Sequence, residues 1–348
     1  MKKIRYGFWM PIFGGWLRNI DDEAMEATFN YNKRLAQRAE QIGFDISLLA
    51  ELNLNDIKGA NSPVLECWTT AAAIASVTER VELMNAIRPG FRLPAVVAKM
   101  SANIDHISNG RFSLNIVSAW WEQEMREYGG AWVAHDQRYE RTREFIEVMC
   151  GMWTEEEFSY EGRYYKVEKA HLEPKPLRKP WPTLYAGGES EDAKQMISRY
   201  CDGYLMHGDP PDNVRPKVEE MERRRNELGL GSMVYGIAAY VICRNSDAEV
   251  KKEIDRICDV KDTAGYFGFK DFTTQSQLER ELSLRDYSVS NRGLRTGLTG
   301  TPEQIAERII EFRNTGVEIF LMQMSPMMEE MERFAEEVMP LVNSNLAN

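Results

Sequence analysis

Eight short runs rich in β-branched and aromatic residues recur along the chain, at 6–12, 44–50, 81–87, 112–117, 183–186, 203–207, 234–242 and 318–324. Between them lie longer segments with apolar residues near 3.6 spacing, at 24–42, 94–106, 138–153, 190–200, 213–228 and 302–315, which read as amphipathic helices. Such alternation selects an α/β fold with parallel strands, because a helical crossover returns the chain to the sheet in the same direction and with right-handed sense. Eight units of this kind close into a TIM (β/α)8 barrel. The alternative, an open doubly wound sheet, would carry a GxGxxG turn after an early strand, and the sequence has none. Two segments interrupt the alternation. FSYEGRYYKV, at 158–167 within an insertion spanning about 154–180, reads as a β-hairpin turning at Glu161-Gly162 after the fourth strand. The polar, Gly-dotted stretch 256–300, before the last helix and strand, reads as a long loop, either a lid or a disordered segment. No composition break divides the chain, so residues 1–348 form a single domain.

The balance of charge narrows the partners. With 43 Lys and Arg against 54 Asp and Glu, the net charge of -11 disfavours nucleic acid and anionic membranes, which reward clustered cations, and points to a small-molecule ligand. Five scattered cysteines, with no CxxC and no paired His, suggest neither a disulfide framework nor a metal site, and a reducing cytoplasm is the expected location. The stretch from Lys2 to Leu17 mimics a signal peptide, but Pro11, Gly14 and Gly15 break it, so it is read as the first strand. No apolar run approaches the ~18 residues of a membrane span.

In a barrel of this class the ligand site lies at the carboxyl ends of the strands. The run IDHISNGRFSLNIVS, 104–118, closes a helix on Asn109-Gly110 and delivers Asn115 and Ser118 to such an end, Asn115 being a costly polar residue in an apolar strand. Gly187-Gly188-Glu189-Ser190 follows a strand and opens a helix, so its N–H groups and the Ser190 hydroxyl suit a phosphate, although a plain turn with Ser190 as cap fits the same residues. In HDQRYER, 135–141, Asp136 is the expected helix cap, and Arg138 and Tyr139 offer a guanidinium and a phenol to phosphate oxygens. Equally, Arg138 and Arg141 could pair along the helix with Glu140 and Glu144. Aromatic and thioether side chains gather near several strand ends: Trp9, Phe13 and Trp16; Trp120 and Trp121; Met206; Tyr240; Met322 and Met324. Each is core or pocket wall. His207 is either a proton donor and acceptor near neutrality or a structural histidine, and His106 is taken as structural.

Together, IDHISNGR, NIVS, HDQRYER and LYAGGES resemble the bacterial luciferase-like flavin monooxygenases, in the branch holding the dimethyl sulfone, alkanesulfonate and pyrimidine oxygenating enzymes, and the resemblance runs from Tyr6 to about Val342. It implies a two-component enzyme. FMNH2 comes from a separate NAD(P)H-dependent flavin reductase, O2 is co-substrate, and one oxygen atom goes to a small organosulfur compound whose C–S bond is cleaved. By resemblance, Asn115, Ser118, Glu124, Arg138, Tyr139, Gly188 and Ser190 contact FMN. His207, Tyr240 and Trp120 are the candidate catalytic groups, Arg292 and Arg295 belong to the lid over the substrate, and a homodimer or homotetramer is expected. Dimethyl sulfone is the first substrate choice. A short alkanesulfonate, a nitrogen heterocycle or haloaromatic, and flavin binding without turnover are the alternatives.

Departures from the family sharpen the substrate choice. Val64, Ala238, Tyr240 and Met324 stand where alkanesulfonate monooxygenases place a cysteine, an arginine, a histidine and a tyrosine. Without the strand arginine a buried sulfonate would lack its countercharge, at a cost of several kcal/mol, so a neutral substrate is favoured unless Arg292 or Arg295 supplies the charge. Glu189 is a further departure, a carboxylate beside the expected phosphate, tolerable if it points away.

Overall fold

The computed structural model describes residues 3–118, 121–259 and 283–347. Eight parallel strands close a barrel: β1 (Arg5–Trp9), β2 (Ile46–Leu49), β3 (Glu82–Ile87), β4 (Phe112–Ile116), β7 (Thr183–Ala186), β8 (Gly203–Met206), β9 (Val234–Tyr240) and β12 (Val317–Gln323). The last strand pairs with the first, Phe8 opposite Met322, so the barrel itself has no open edge. Both faces of these strands are buried, which is why β3 (ELMNAI) reads as a continuous run with every residue inside. Arg5, Gly7 and Trp9 face the interior with Ile319 and Leu321, and Ile46, Leu48, Met84, Tyr185 and Leu205 complete the packed centre. Arg5 plugs the amino-terminal end, donating to Glu82 at 2.7 Å and to the Tyr185 hydroxyl at 3.3 Å.

Helices wrap the outside. Among them are α1 (Phe29–Ile42), α2 (Cys67–Ala75), α3 (Pro94–Ile107), α4 (Glu122–Glu127), α5 (His135–Thr154), α6 (Glu191–Tyr200), α7 (Pro211–Glu227) and α8 (Asp247–Ile257), followed by Pro302–Arg313. Helix α1 starts at Phe29 rather than Ala24, because the Thr28 hydroxyl accepts from Tyr31 N and caps it there. Helix α5 starts at His135 after Ala134, so Asp136 lies inside the first turn and is not the expected cap.

Between β4 and β7 stands an antiparallel hairpin, β5 (Phe158–Glu161) with β6 (Lys166–Ala170). Glu144 of α5 holds its turn by accepting from the backbone N–H groups of Arg163, Tyr164 and Tyr165 at 2.9, 2.8 and 3.2 Å. A Cβ at Gly162 would collide with that carboxylate, so the turn needs glycine. Of the expected lid, 260–282 lies outside the described residues, and 283–300 is a packed strap rather than a loose loop. A short helix, Leu284–Ser288, with a capping box from Ser283 and Asp286, leads into a tight helical turn, Ser290–Thr296. Asn19 donates to Ser288 Oγ at 3.1 Å and to Ile257 O at 2.9 Å, fastening the strap to the segment after β1. Its end, β11 (Thr299–Gly300), pairs with β10 (Ile242–Cys243) outside the barrel.

Candidate active site

The inward row of each strand continues to the carboxyl-terminal mouth, where it presents Trp9 from β1, Asn115 from β4, His207 just past β8, Ala238 from β9 and Gln323 from β12. Three polar atoms on this rim, Trp9 Nε1, Asn115 Oδ1 and Gln323 Nε2, are buried without a hydrogen-bond partner. Buried polar groups are normally satisfied, so two donors and an acceptor aimed into one apolar mouth suit a ligand with a polar edge. Trp9 is backed by Trp16, ring centroids 6.3 Å apart and edge-on, and Trp16 by Phe13 at 6.0 Å. These two expected pocket residues therefore form a second layer. Trp120 lies outside the described residues, and Trp121 is buried.

Alternation corrects three expectations. Met206 and Met322 have the opposite parity from Leu205 and Leu321, and both pack in the layer between barrel and helices; Met324, past the strand, is fully buried in the same layer. None of the three lines the mouth. Gln323, absent from the sequence reading, takes the inward place. The signal that singled out Asn115, an amide in an apolar strand, was present there too. Tyr240 shares Gln323's inward parity, but the strap covers it, a Cβ at Gly293 lying 2.6 Å from Tyr240 N.

At the β7–α6 turn Ser190 caps α6, accepting from Ala193 N at 3.3 Å. A Cβ at Gly188 would lie 2.6 Å from Ala193 Cβ and 3.6 Å from the Tyr139 hydroxyl, so the turn closes tightly on the phenol. Burial pushes the Tyr139 pKa up, opposed by its hydrogen bond with Ser190 and by Arg138. Arg138 is 7% exposed and covers the Trp132 ring, its guanidinium carbon 4.6 Å from the centroid. Burial lowers its pKa and that of Arg141. The helical ion pairs with Glu140 and Glu144 are not the arrangement found: Glu140 pairs with Arg163 at 2.9 Å and Glu144 serves the hairpin. The buried Arg138, next to the tyrosine around which the amino terminus of α6 closes, fits a phosphate ester, whereas Arg141 turns to Ala131 O at 3.1 Å. The acceptor and donors on the rim fit the polar edge of an isoalloxazine.

Ser118 accepts from the Thr142 hydroxyl at 3.1 Å at the end of β4. Glu124 does not project into the mouth with free oxygens. It is fully buried, paired with both Nη atoms of Arg88, 2.8 Å from Nη2, and accepts from Asn53 N at 2.5 Å. Glu51 extends this network to Arg92 Nε at 3.0 Å and Trp68 Nε1 at 3.1 Å. This cluster joins the segments after β2 and β3 to helix α4 and was not anticipated from the sequence, since its members are up to 73 positions apart (51 to 124).

Glu189 turns away from the phosphate turn and pairs with Arg292 of the strap and with Lys217 at 3.3 Å. Burial opposes its charge, but His207, Arg292 and Lys217 bring its pKa down to about 2. Burial also acts on His207, and with Arg292 and Lys217 nearby it takes the imidazole down to about 4 despite Glu189 and Asp209. At neutral pH His207 is uncharged. Arg295, the other strap arginine, meets Asp286 at 2.6 Å through both Nε and Nη2. Neither arginine is an unneutralised countercharge.

A model of the luciferase-like monooxygenase family matches residues 12–318. The chain is 32% identical to the FMNH(2)-dependent dimethylsulfone monooxygenase of Pseudomonas putida, over 97% of this chain and 95% of that protein. Among solved structures it resembles long-chain alkane monooxygenase (LadA), with a TM-score of 0.84, 17% identity, and 99% and 92% of the two chains covered. It also resembles DmoA from Hyphomicrobium sulfonivorans, with a TM-score of 0.83, 18% identity, and 99% and 89% covered.

Proposed function

Because the chain belongs to the luciferase-like monooxygenase family, we propose that it is an FMNH2-dependent monooxygenase that oxygenates and cleaves a small neutral organosulfur compound, with dimethyl sulfone as substrate. The observation that carries the choice of a neutral substrate is the pairing of Arg292 with Glu189 and of Arg295 with Asp286, added to alanine at 238. Reduced FMN supplies the reaction with O2. Arg138, Tyr139, Gly188 and Ser190 would hold its phosphate, and Asn115 and Gln323 would meet its polar edge. Trp9, with Trp16 and Phe13 behind it, excludes water and desolvates the substrate at little electrostatic cost because the substrate has no charge. His207, neutral at working pH, can donate or accept one hydrogen bond without drawing in an anion. The reduced flavin would come from a separate reductase by diffusion or transient contact, and a dimer or tetramer in the cytoplasm is the setting we expect.

The test is oxygen uptake with FMNH2 supplied by an added flavin reductase, scored for sulfinate, sulfite and hydroxylated products across dimethyl sulfone, methanesulfonate and longer alkanesulfonates. Dimethyl sulfone should give the highest kcat/KM. A preference for sulfonates that vanishes in Arg292→Ala or Arg295→Ala would place the countercharge on the strap and overturn the neutral-substrate reading.

A further inference from the structure

Charged groups of both signs meet, among the described residues, between the phosphate turn and the strap. Glu189, Asp209 and Asp286 stand against Arg292, Lys217 and Arg295, with Lys217 shared between Glu189 and Asp209 at 3.3 and 2.9 Å and Arg295 within 3.9 Å of Asp209. The cluster adjoins the substrate side, because His207 continues the inward row of β8 and the strap backbone seals the residue after it. Gly208 N donates to Asn291 O at 2.8 Å, and a Cβ at Gly208 would collide with the Arg292 carbonyl oxygen. Asn291 and Arg292 both adopt left-handed backbone, φ 56° and 55°, a conformation that side chains other than glycine rarely take and that surrounding contacts must impose. That turn brings Arg292, 3% exposed, onto Glu189.

We propose that Glu189 is a specificity-determining residue: by pairing with Arg292 it cancels the positive charge that the strap brings beside His207, and so restricts the pocket to uncharged substrates. The proposal rests on the reading of this mouth as the oxygenation site and assigns its charge selectivity to a residue of the cofactor turn. The residue that shuts anions out is thus neither on the barrel wall nor on the strap. Replacing Glu189 by glutamine removes the carboxylate that meets Arg292 while nearly preserving the side chain's size.

Dimethyl sulfone and methanesulfonate are the probes, since they differ by one methyl group exchanged for a charged oxygen. Calorimetric titration of methanesulfonate into the FMN-loaded protein should show Glu189→Gln binding it about tenfold more tightly than wild type, the scale of one charge-assisted contact. Adding Arg292→Gln to that variant should abolish the gain. Glu189→Asp keeps the carboxylate but withdraws it by one methylene, and should gain about threefold, which preserves the test if the glutamine variant does not fold. No gain in either folded variant, or a gain that survives Arg292→Gln, overturns the proposal. If the binding gain appears but wild type does not turn over dimethyl sulfone, the reaction reading fails and the charge assignment stands.

Discussion

Arg138 shows how far single residues could be read from the sequence. HDQRYER offered two readings of it, phosphate ligand or helical ion pair, and the second dissolves once Glu140 and Glu144 are seen to serve the hairpin, 19 to 23 positions further on. Arg138→Ala should therefore weaken FMN binding by about 1.5–3 kcal/mol, the range for a charged hydrogen bond, with a smaller change in unfolding free energy. Fluorescence titration with FMN checks this, and unchanged affinity would remove Arg138 from the phosphate site. His207 makes a prediction in pH. Its proton binds at about 4 in the folded protein against an ordinary imidazole value of 6.5, so between those values the unfolded chain carries more protons and stability falls as pH is lowered. The full loss is on the order of 3 kcal/mol, and it is absent above 6.5. Glu189 contributes only below 4.5, where its carboxylate begins to protonate in the unfolded chain. The carboxyls whose pKa burial raises, Glu51, Asp56, Asp202 and Glu330, act alike in wild type and variant, so the difference between the two at pH 6.5 to 5 reports the imidazole, which faces Glu189, Asp209, Arg292 and Lys217. Urea unfolding of His207→Gln should show a flatter dependence there than wild type. The pairing of 189 with 292 was not legible, because nothing local in either segment marks a partner 103 positions away.

At the scale of elements, strand positions were legible to within a few residues but facing was not. Parallel strands buried on both sides lack the polar–apolar alternation that reveals direction, so Met322 and Gln323 could not be sorted into outer layer and mouth without the register to β9. The polar, weakly periodic sequence of the strap predicts a loose segment, yet Asn19 fastens it to the segment after β1 and the Asp286–Arg295 pair braces it internally. Polarity there records buried partners. Glu124 gives the corresponding prediction. Its pairing with Arg88 links the end of β3 to α4, so Glu124→Ala leaves a guanidinium that is 1% exposed with Glu51 at 4.0 Å in place of its close double contact, and should cost about 3 kcal/mol in unfolding free energy. FMN affinity measured below the unfolding transition should fall far less than in Arg138→Ala. The opposite order would make Glu124 a direct flavin contact.

For the whole molecule, the alternation of strands and helices was sufficient to give the closed barrel, since eight βα units have few other ways to bury both faces of a parallel sheet. A ligand that binds only the folded barrel adds to its stability by mass action, so FMN at a hundredfold excess over its Kd should raise the unfolding free energy by about 2.7 kcal/mol. A calorimetric scan with and without FMN measures it, and Gly188→Val, whose side chain would collide with Ala193 and crowd Tyr139, should remove the effect. The seam between β1 and β12 has a consequence for how the protein is made. Met322 follows its neighbour Phe8 by 314 positions (322 minus 8), and at ribosomal rates of about 5–20 residues per second that interval lasts roughly 15–60 s. Throughout it the nascent chain holds a strand pair with one hydrogen-bonding edge unsatisfied and the Trp9–Trp16 wall uncovered, a template for pairing with other chains. Any product of premature termination before residue 317 keeps that edge permanently, so shortened chains of this protein are destined for aggregation or a chaperone, however complete the rest of the barrel.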